Sequence, residues 1–199
     1  MASFLTGNER ILFFGDSITE TGRGWYDDAE LGDGYVALVA AALTERFPDV
    51  VCLNRGVSGD GVFDLARRFE RDCLALTPDV VSIMVGVNDV WLSLELGGGA
   101  TPARYEVELD TMLRRLTAKG VRVVLLEPYL VPVDGYLEAW RPDLEARIAA
   151  VHRLAAKYHA VLVPTDAVMN AHPNTTEDGV HPTPLGHQLL AQNWLTTLL

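Results

Sequence analysis

Arg10-Ile11-Leu12-Phe13-Phe14-Gly15-Asp16-Ser17 runs unbroken apolar residues into a glycine and then into two small polar side chains. A continuous apolar run, without alternation, is what a strand covered on both faces requires. Similar runs recur at Val50-Val51-Cys52-Leu53, Val80 to Val85, Val121 to Leu126 and Val161-Leu162-Val163. Between them apolar residues fall at helical spacing: Val36, Val39, Leu43 and Phe47; Val62, Leu65 and Phe69; Tyr105, Leu109, Met112 and Leu116; Leu144, Ile148, Val151, Ala155 and Tyr158. These are amphipathic helices. A last helix begins at Thr183, an N-cap type, with Pro184 at the first helical position, and carries Leu185, Leu189 and Trp194. Alternation of strand and helix predicts a parallel sheet with crossover helices on both faces, a flavodoxin-like three-layer α/β/α sandwich of five strands.

The 199 residues, 49% apolar, are enough for one core, and a single domain over 1–199 is expected. A formal net charge of -11 repels phosphate backbones and anionic membrane surfaces, so nucleic acid and membrane are not expected as partners. No apolar run reaches the roughly 20 residues of a membrane span. Met1 to Arg10 lacks the basic and apolar pattern of a secretory signal, and the two cysteines, Cys52 and Cys73, read as buried thiols. A cytoplasmic protein is expected. Two segments break the rhythm after strands, Thr19 to Gly34 and Tyr129 to Trp140, and ligands of open α/β sheets bind outside the carboxyl ends of strands. Both are expected to wall a substrate cleft.

Four short segments at that edge carry chemistry. Gly15-Asp16-Ser17 turns out of the first strand and can present a hydroxyl with a free N–H, although alone it reads first as a helix cap. Asn54 to Gly61, with three glycines in its last six residues, can bring a backbone N–H close to a ligand atom. Gly86-Val87-Asn88-Asp89 adds an amide that donates without titrating. Asp178-Gly179-Val180-His181 places a carboxylate three residues before an imidazole, which can orient the ring as a base toward a hydroxyl from another loop. Together they supply the parts of acyl transfer: Ser17 as nucleophile, His181 as base, Asp178 as its orienter, and the Ser17 N–H, Gly59 N–H and Asn88 side chain as an oxyanion hole. This chemistry calls for no metal and no cofactor.

The same residues resemble the SGNH (GDSL-type) hydrolase family, named for its Ser, Gly, Asn and His: Ser17, Gly59, Asn88 and the Asp178–His181 pair stand in its blocks. Leu31-Gly32-Asp33-Gly34-Tyr35-Val36, Asn54 to Gly59 and Pro78 to Trp91 look like a bacterial intracellular acetylxylan esterase subgroup. That resemblance implies deacetylation of xylo-oligosaccharides or a related carbohydrate, and a homo-oligomer. The chain departs from the family at Ile18, where leucine is usual, and at Thr175-Thr176-Glu177, where relatives acting on sugars often have an aromatic. A lysophospholipase or thioesterase is the alternative within esterases. A metal-dependent phosphoesterase using Asp16, Asn54, Asn88, His181 and His187 is a more distant one, and a non-catalytic sugar-binding module leaves the Ser17, Asp178 and His181 combination without purpose. Asp16 and Asp89 are read as loop-orienting, and His152 and His159 as surface or interface residues. Glu127 faces the cleft by position, with structural use of its carboxylate preferred, and Trp91 and Trp140 are read as packing before sugar platforms.

Overall fold

The computed structural model describes residues 4–199; the first three, part of the N-terminal stretch read above, lie outside the described residues. In chain order the elements are β1 (Arg10–Gly15), α1 (Ser17–Glu20), α2 (Tyr35–Arg46), β2 (Val51–Gly56), α3 (Val62–Asp72), β3 (Val80–Met84), α4 (Val87–Glu95), α5 (Pro102–Ala118), β4 (Arg122–Leu126), α6 (Gly135–Glu138), α7 (Arg141–Tyr158), β5 (Val161–Val163), α8 (Thr165–Asn170) and α9 (Pro184–Leu198). The five strands are parallel in the order β2-β1-β3-β4-β5. The α/β sandwich is therefore the one the apolar runs predict. Its strand order reverses between β1 and β3, so the switch point where such sheets bind ligands opens directly above Ser17 and Asn88.

Period-2 alternation sorts each strand between two cores. Leu12 and Phe14 of β1 join Leu53, Val81, Ile83, Val123 and Leu125 under α3, α5 and α7. Ile11 and Phe13 join Val80, Val124 and Leu126 under α2 and α9. Trp194 on α9 is fully buried against Phe13, and its indole N–H donates to Ser82 Oγ at 3.0 Å, which satisfies both buried polar groups. A smaller cluster of Val90, Leu130, Leu137, Trp140 and Leu144 lies at the strand-end edge and supports the loops there.

Short polar-rich helices escaped the periodicity. α1, α6 and α8 span 4, 4 and 6 residues, too few for a 3.6-residue pattern to register. α4 begins at the Gly86-Val87-Asn88 stretch read as a strand end, because Gly86 at φ +138° breaks the strand. β2 runs on to Gly56, so Asn54 and Arg55 belong to the sheet, opposite Phe13 and Phe14, and not to a loop. Among the described residues no helix is long and apolar enough to cross a membrane.

Candidate active site

Ser17 is the first residue of α1, so its N–H has no acceptor within the helix. Asp16 caps that helix by accepting from Ile18 N–H at 3.0 Å, which leaves the next side chain, Ser17, at the mouth of the sheet. Ser17 Oγ lies 3.1 Å from His181 Nε2, and His181 Nδ1 lies 2.7 Å from Asp178 Oδ2. An ionised carboxylate only accepts hydrogen bonds, so it holds the proton on Nδ1 and leaves Nε2 free to take one from the hydroxyl. Asp178 Oδ1 also accepts the N–H groups of Val180 and His181. Burial pushes the Asp178 carboxyl up, but the bonds from the His181 ring and from these two amides outweigh it and hold the group below its ordinary range. The turn itself is anchored by Tyr129 OH donating to Val180 O at 2.8 Å and Val131 N–H donating to Gly179 O at 2.9 Å.

The donors opposite the serine come from two further strand ends. Val57 to Asp60 form a turn closed by Asp60 N–H donating to Val57 O at 3.2 Å, with Gly59 at φ +82° in its third position. That is the type II turn, whose third residue needs positive φ, and a side chain there would be strained. Asn88, on α4, donates one amide hydrogen to Asp60 O at 3.0 Å and keeps a second. Asp89 accepts Val62 N–H on both oxygens, at 3.1 and 3.0 Å, and so ties α4 to the start of α3. Gly56 lets the chain close up here, because a Cβ on it would overlap the Glu20 backbone.

These residues meet in one cavity of about 400 Å³, lined by Ser17, Gly59 and Asn88, by Asp178 and His181, and by an apolar wall of Val87, Trp91, Leu137, Trp140 and Val180. Tyr129 to Trp140 supplies part of that wall, as expected. Thr19 to Gly34 does not: Asp33 N–H donates to Thr21 O and Gly24 N–H to Glu30 O, so the segment closes on itself and lines a separate groove against α2. Glu127 also points elsewhere. It is buried, 2.5 Å from His152 Nε2, and accepts Asp166 N–H, which gives its carboxylate the structural task preferred for it above. Asn54 and His187, two of the five metal ligands weighed above, are committed to the backbone: Asn54 Nδ2 donates to Thr19 O and Leu31 O, and His187 Nδ1 accepts Tyr35 N–H. Val87, Leu137 and Val180 were not foreseen, since single aliphatic residues in irregular segments carry no periodic signal.

Residues 13–189 match the family model of the GDSL-like Lipase/Acylhydrolase family. The chain belongs to that family. It is 34% identical over 205 residues to an acetylxylan esterase of Geobacillus stearothermophilus, covering 94% of this chain and 92% of the relative. It is 28% identical to Esterase TesA of Pseudomonas aeruginosa, over 96% and 88% of the two chains. Among solved structures, Axe2, an acetylxylan esterase from Geobacillus stearothermophilus, superposes with a TM-score of 0.88 at 31% identity over 96% and 94% of the chains. LAE5, an α/β hydrolase from the metagenome of Lake Arreo, gives 0.88 at 30% over 99% and 98%. As a family member with esterase relatives, the protein is a carboxylic ester hydrolase.

One group in this hydrolase is electrostatically costly. Burial, then the nearby Asp89 and Asp60 charges, push the Asp16 carboxyl up to about 7 against the bond from Ile18, and its Oδ2 has no hydrogen-bond partner. The folded protein keeps this proton to about pH 7 while an unfolded chain loses it near 3.8, so this group lowers stability as pH rises between those values. Asp16→Asn keeps an acceptor for Ile18. Relative to wild type it is expected to gain on the order of 4 kcal/mol between pH 4 and 8, read by urea unfolding; a pH-independent difference would exclude Asp16 as the source.

Proposed function

We propose that the protein is a serine esterase that removes acetyl groups from xylo-oligosaccharides or a related carbohydrate, through Ser17, His181 and Asp178. The observation that carries the reading is the continuous Ser17 Oγ, His181, Asp178 chain at 3.1 and 2.7 Å in a cavity shared with Gly59 and Asn88. His181 Nε2 takes the Ser17 proton as Oγ attacks the ester carbonyl. The oxyanion is met by the N–H groups of Ser17 and Gly59 and the free amide hydrogen of Asn88. His181 then protonates the departing alcohol, and water repeats the sequence on the acetyl-enzyme with His181 again as base. Solved structures of Axe2 variants described as catalytic mutants replace a serine and an aspartate and histidine three residues apart, the spacing of Asp178 and His181.

A tryptophan precedes that aspartate in Axe2, where this chain has Glu177, so any ring contact must come from elsewhere. Trp91, 39% exposed on α4, and Trp140 are the aromatic side chains that line the cavity with Ser17. The apolar wall also favours a second reading, a longer acyl group as in a lysophospholipase or thioesterase. Acetate release from acetylated xylo-oligosaccharides, measured beside turnover of short and long acyl esters, separates the two. The carbohydrate reading expects acetyl esters to be preferred at least tenfold; a preference for long chains would sink it.

A further inference from the structure

We propose that Arg68, which lies outside the cavity, is the positioning residue that sets the Gly59 turn against the Ser17 turn. The inference rests on the esterase reading above. Arg68 is buried on α3, and its fork reaches both turns at once: Nη2 donates to Gly15 O at 2.9 Å, Nη1 to Arg55 O at 2.8 Å, and Nε to Asp60 Oδ2 at 2.6 Å. Gly15 stands two residues before Ser17, and Asp60 directly follows Gly59. Asp60 O is also the acceptor that fixes Asn88, so one guanidinium connects the backbone beside all three oxyanion donors.

Three features mark the arrangement as positional. The fork is planar and rigid, and its acceptors diverge, so a single orientation satisfies them all. Its Cζ lies 4.4 Å from the centroid of the Phe14 ring, so a cation–π contact restrains the group further. Asp72, the remaining carboxylate on Nη1, is more distant at 3.6 Å and belongs to the same helix, so it contributes charge without linking loops. Burying an arginine rarely stabilises a fold more than an apolar side chain of similar volume. Two of its acceptors, by contrast, belong to the turns that carry Ser17 and Gly59.

An aryl acetate serves as the probe for wild type, Arg68→Met, Arg68→Lys and Arg71→Met, the last a control at an exposed arginine of the same helix. With rates taken well below the lowest melting midpoint, Arg68→Met is expected to lose about 100-fold in kcat with KM held within about threefold, because the lost alignment matters only when the oxyanion forms. Lysine cannot span three divergent acceptors and is expected to recover only about a tenth of the wild-type rate. A trifluoromethyl ketone, which adds Ser17 Oγ and leaves an oxyanion in the same place, is expected to weaken in proportion to kcat/KM. Arg71→Met leaves all three readings unchanged. A kcat for Arg68→Met within about threefold of wild type, a loss confined to KM, or inhibitor affinity retained while kcat falls would overturn the inference. If the methionine variant does not fold, the lysine variant decides on the same three readings. Wild-type turnover that persists in Ser17→Ala would instead count against the esterase reading itself.

Discussion

Ser17→Ala is expected to lower kcat for an aryl acetate by about 10⁶-fold, since the members of such a triad act as one unit and removing the nucleophile removes the covalent path. What remains is the water reaction assisted by the donors at Gly59 and Asn88, on the order of 10³-fold over solution. The side chain removed is small and lies at the cavity mouth, and the helix cap belongs to Asp16, so the melting midpoint is expected to shift by less than about 3 °C. Steady-state kinetics with parallel thermal melts make the measurement. A variant that still turns over within about tenfold of wild type would remove Ser17 from the chemistry.

The second large effect is at Asp178. Replacing it by asparagine leaves the shape of the turn but presents an amide that can itself donate, so Nδ1 is no longer compelled to carry the proton and the Nε2 lone pair facing Ser17 is lost in part of the population. The expected loss in kcat is about 10³-fold. The lower end of the range known for such aspartates applies because the Asp178 side chain is 55% exposed, so water replaces some of its interaction. The carboxyl is held below its ordinary range in the folded protein. Its bonds therefore stabilise the turn at neutral pH, and the contribution is lost as pH falls through that lowered value. Comparing the acid limb of the unfolding midpoint in wild type and Asp178→Asn reads this directly; identical limbs would show that the pairing does not contribute to stability.

Both positions could be proposed from the sequence, and for a definite reason. A Gly-Asp-Ser at the end of an apolar run and an Asp-x-x-His before a proline-led helix are local patterns, fixed by neighbours along the chain. Asn88 and Gly59 could be proposed in the same way, although the lengths of the surrounding elements were not legible. β2 continues through Asn54 to Gly56 because Phe13 to Gly15 offer a pairing partner across the sheet, and that partner lies about forty residues away in sequence. The structural use preferred for Glu127 holds, but its direction was not legible, for a related cause. A residue at a strand end can turn toward the cleft or behind the sheet, and His152 on α7 decides for the latter.

By itself the sequence determined the alternation of buried strands and amphipathic helices, hence the parallel sandwich, and the chemical types gathered at its strand ends. Only the tertiary structure decided what lies between those ends. Thr19 to Gly34 closes on itself and lines no part of the Ser17 cavity, the apolar wall comes from α4, the segment around Trp140 and Val180, and Arg68 reaches two turns from a helix that reads in sequence as ordinary amphipathic surface. The physical reason is the range of the forces involved. Periodicity and turn chemistry act between residues a few positions apart, whereas desolvation of Asp16 and the three-way bonding of Arg68 depend on groups that only folding brings together.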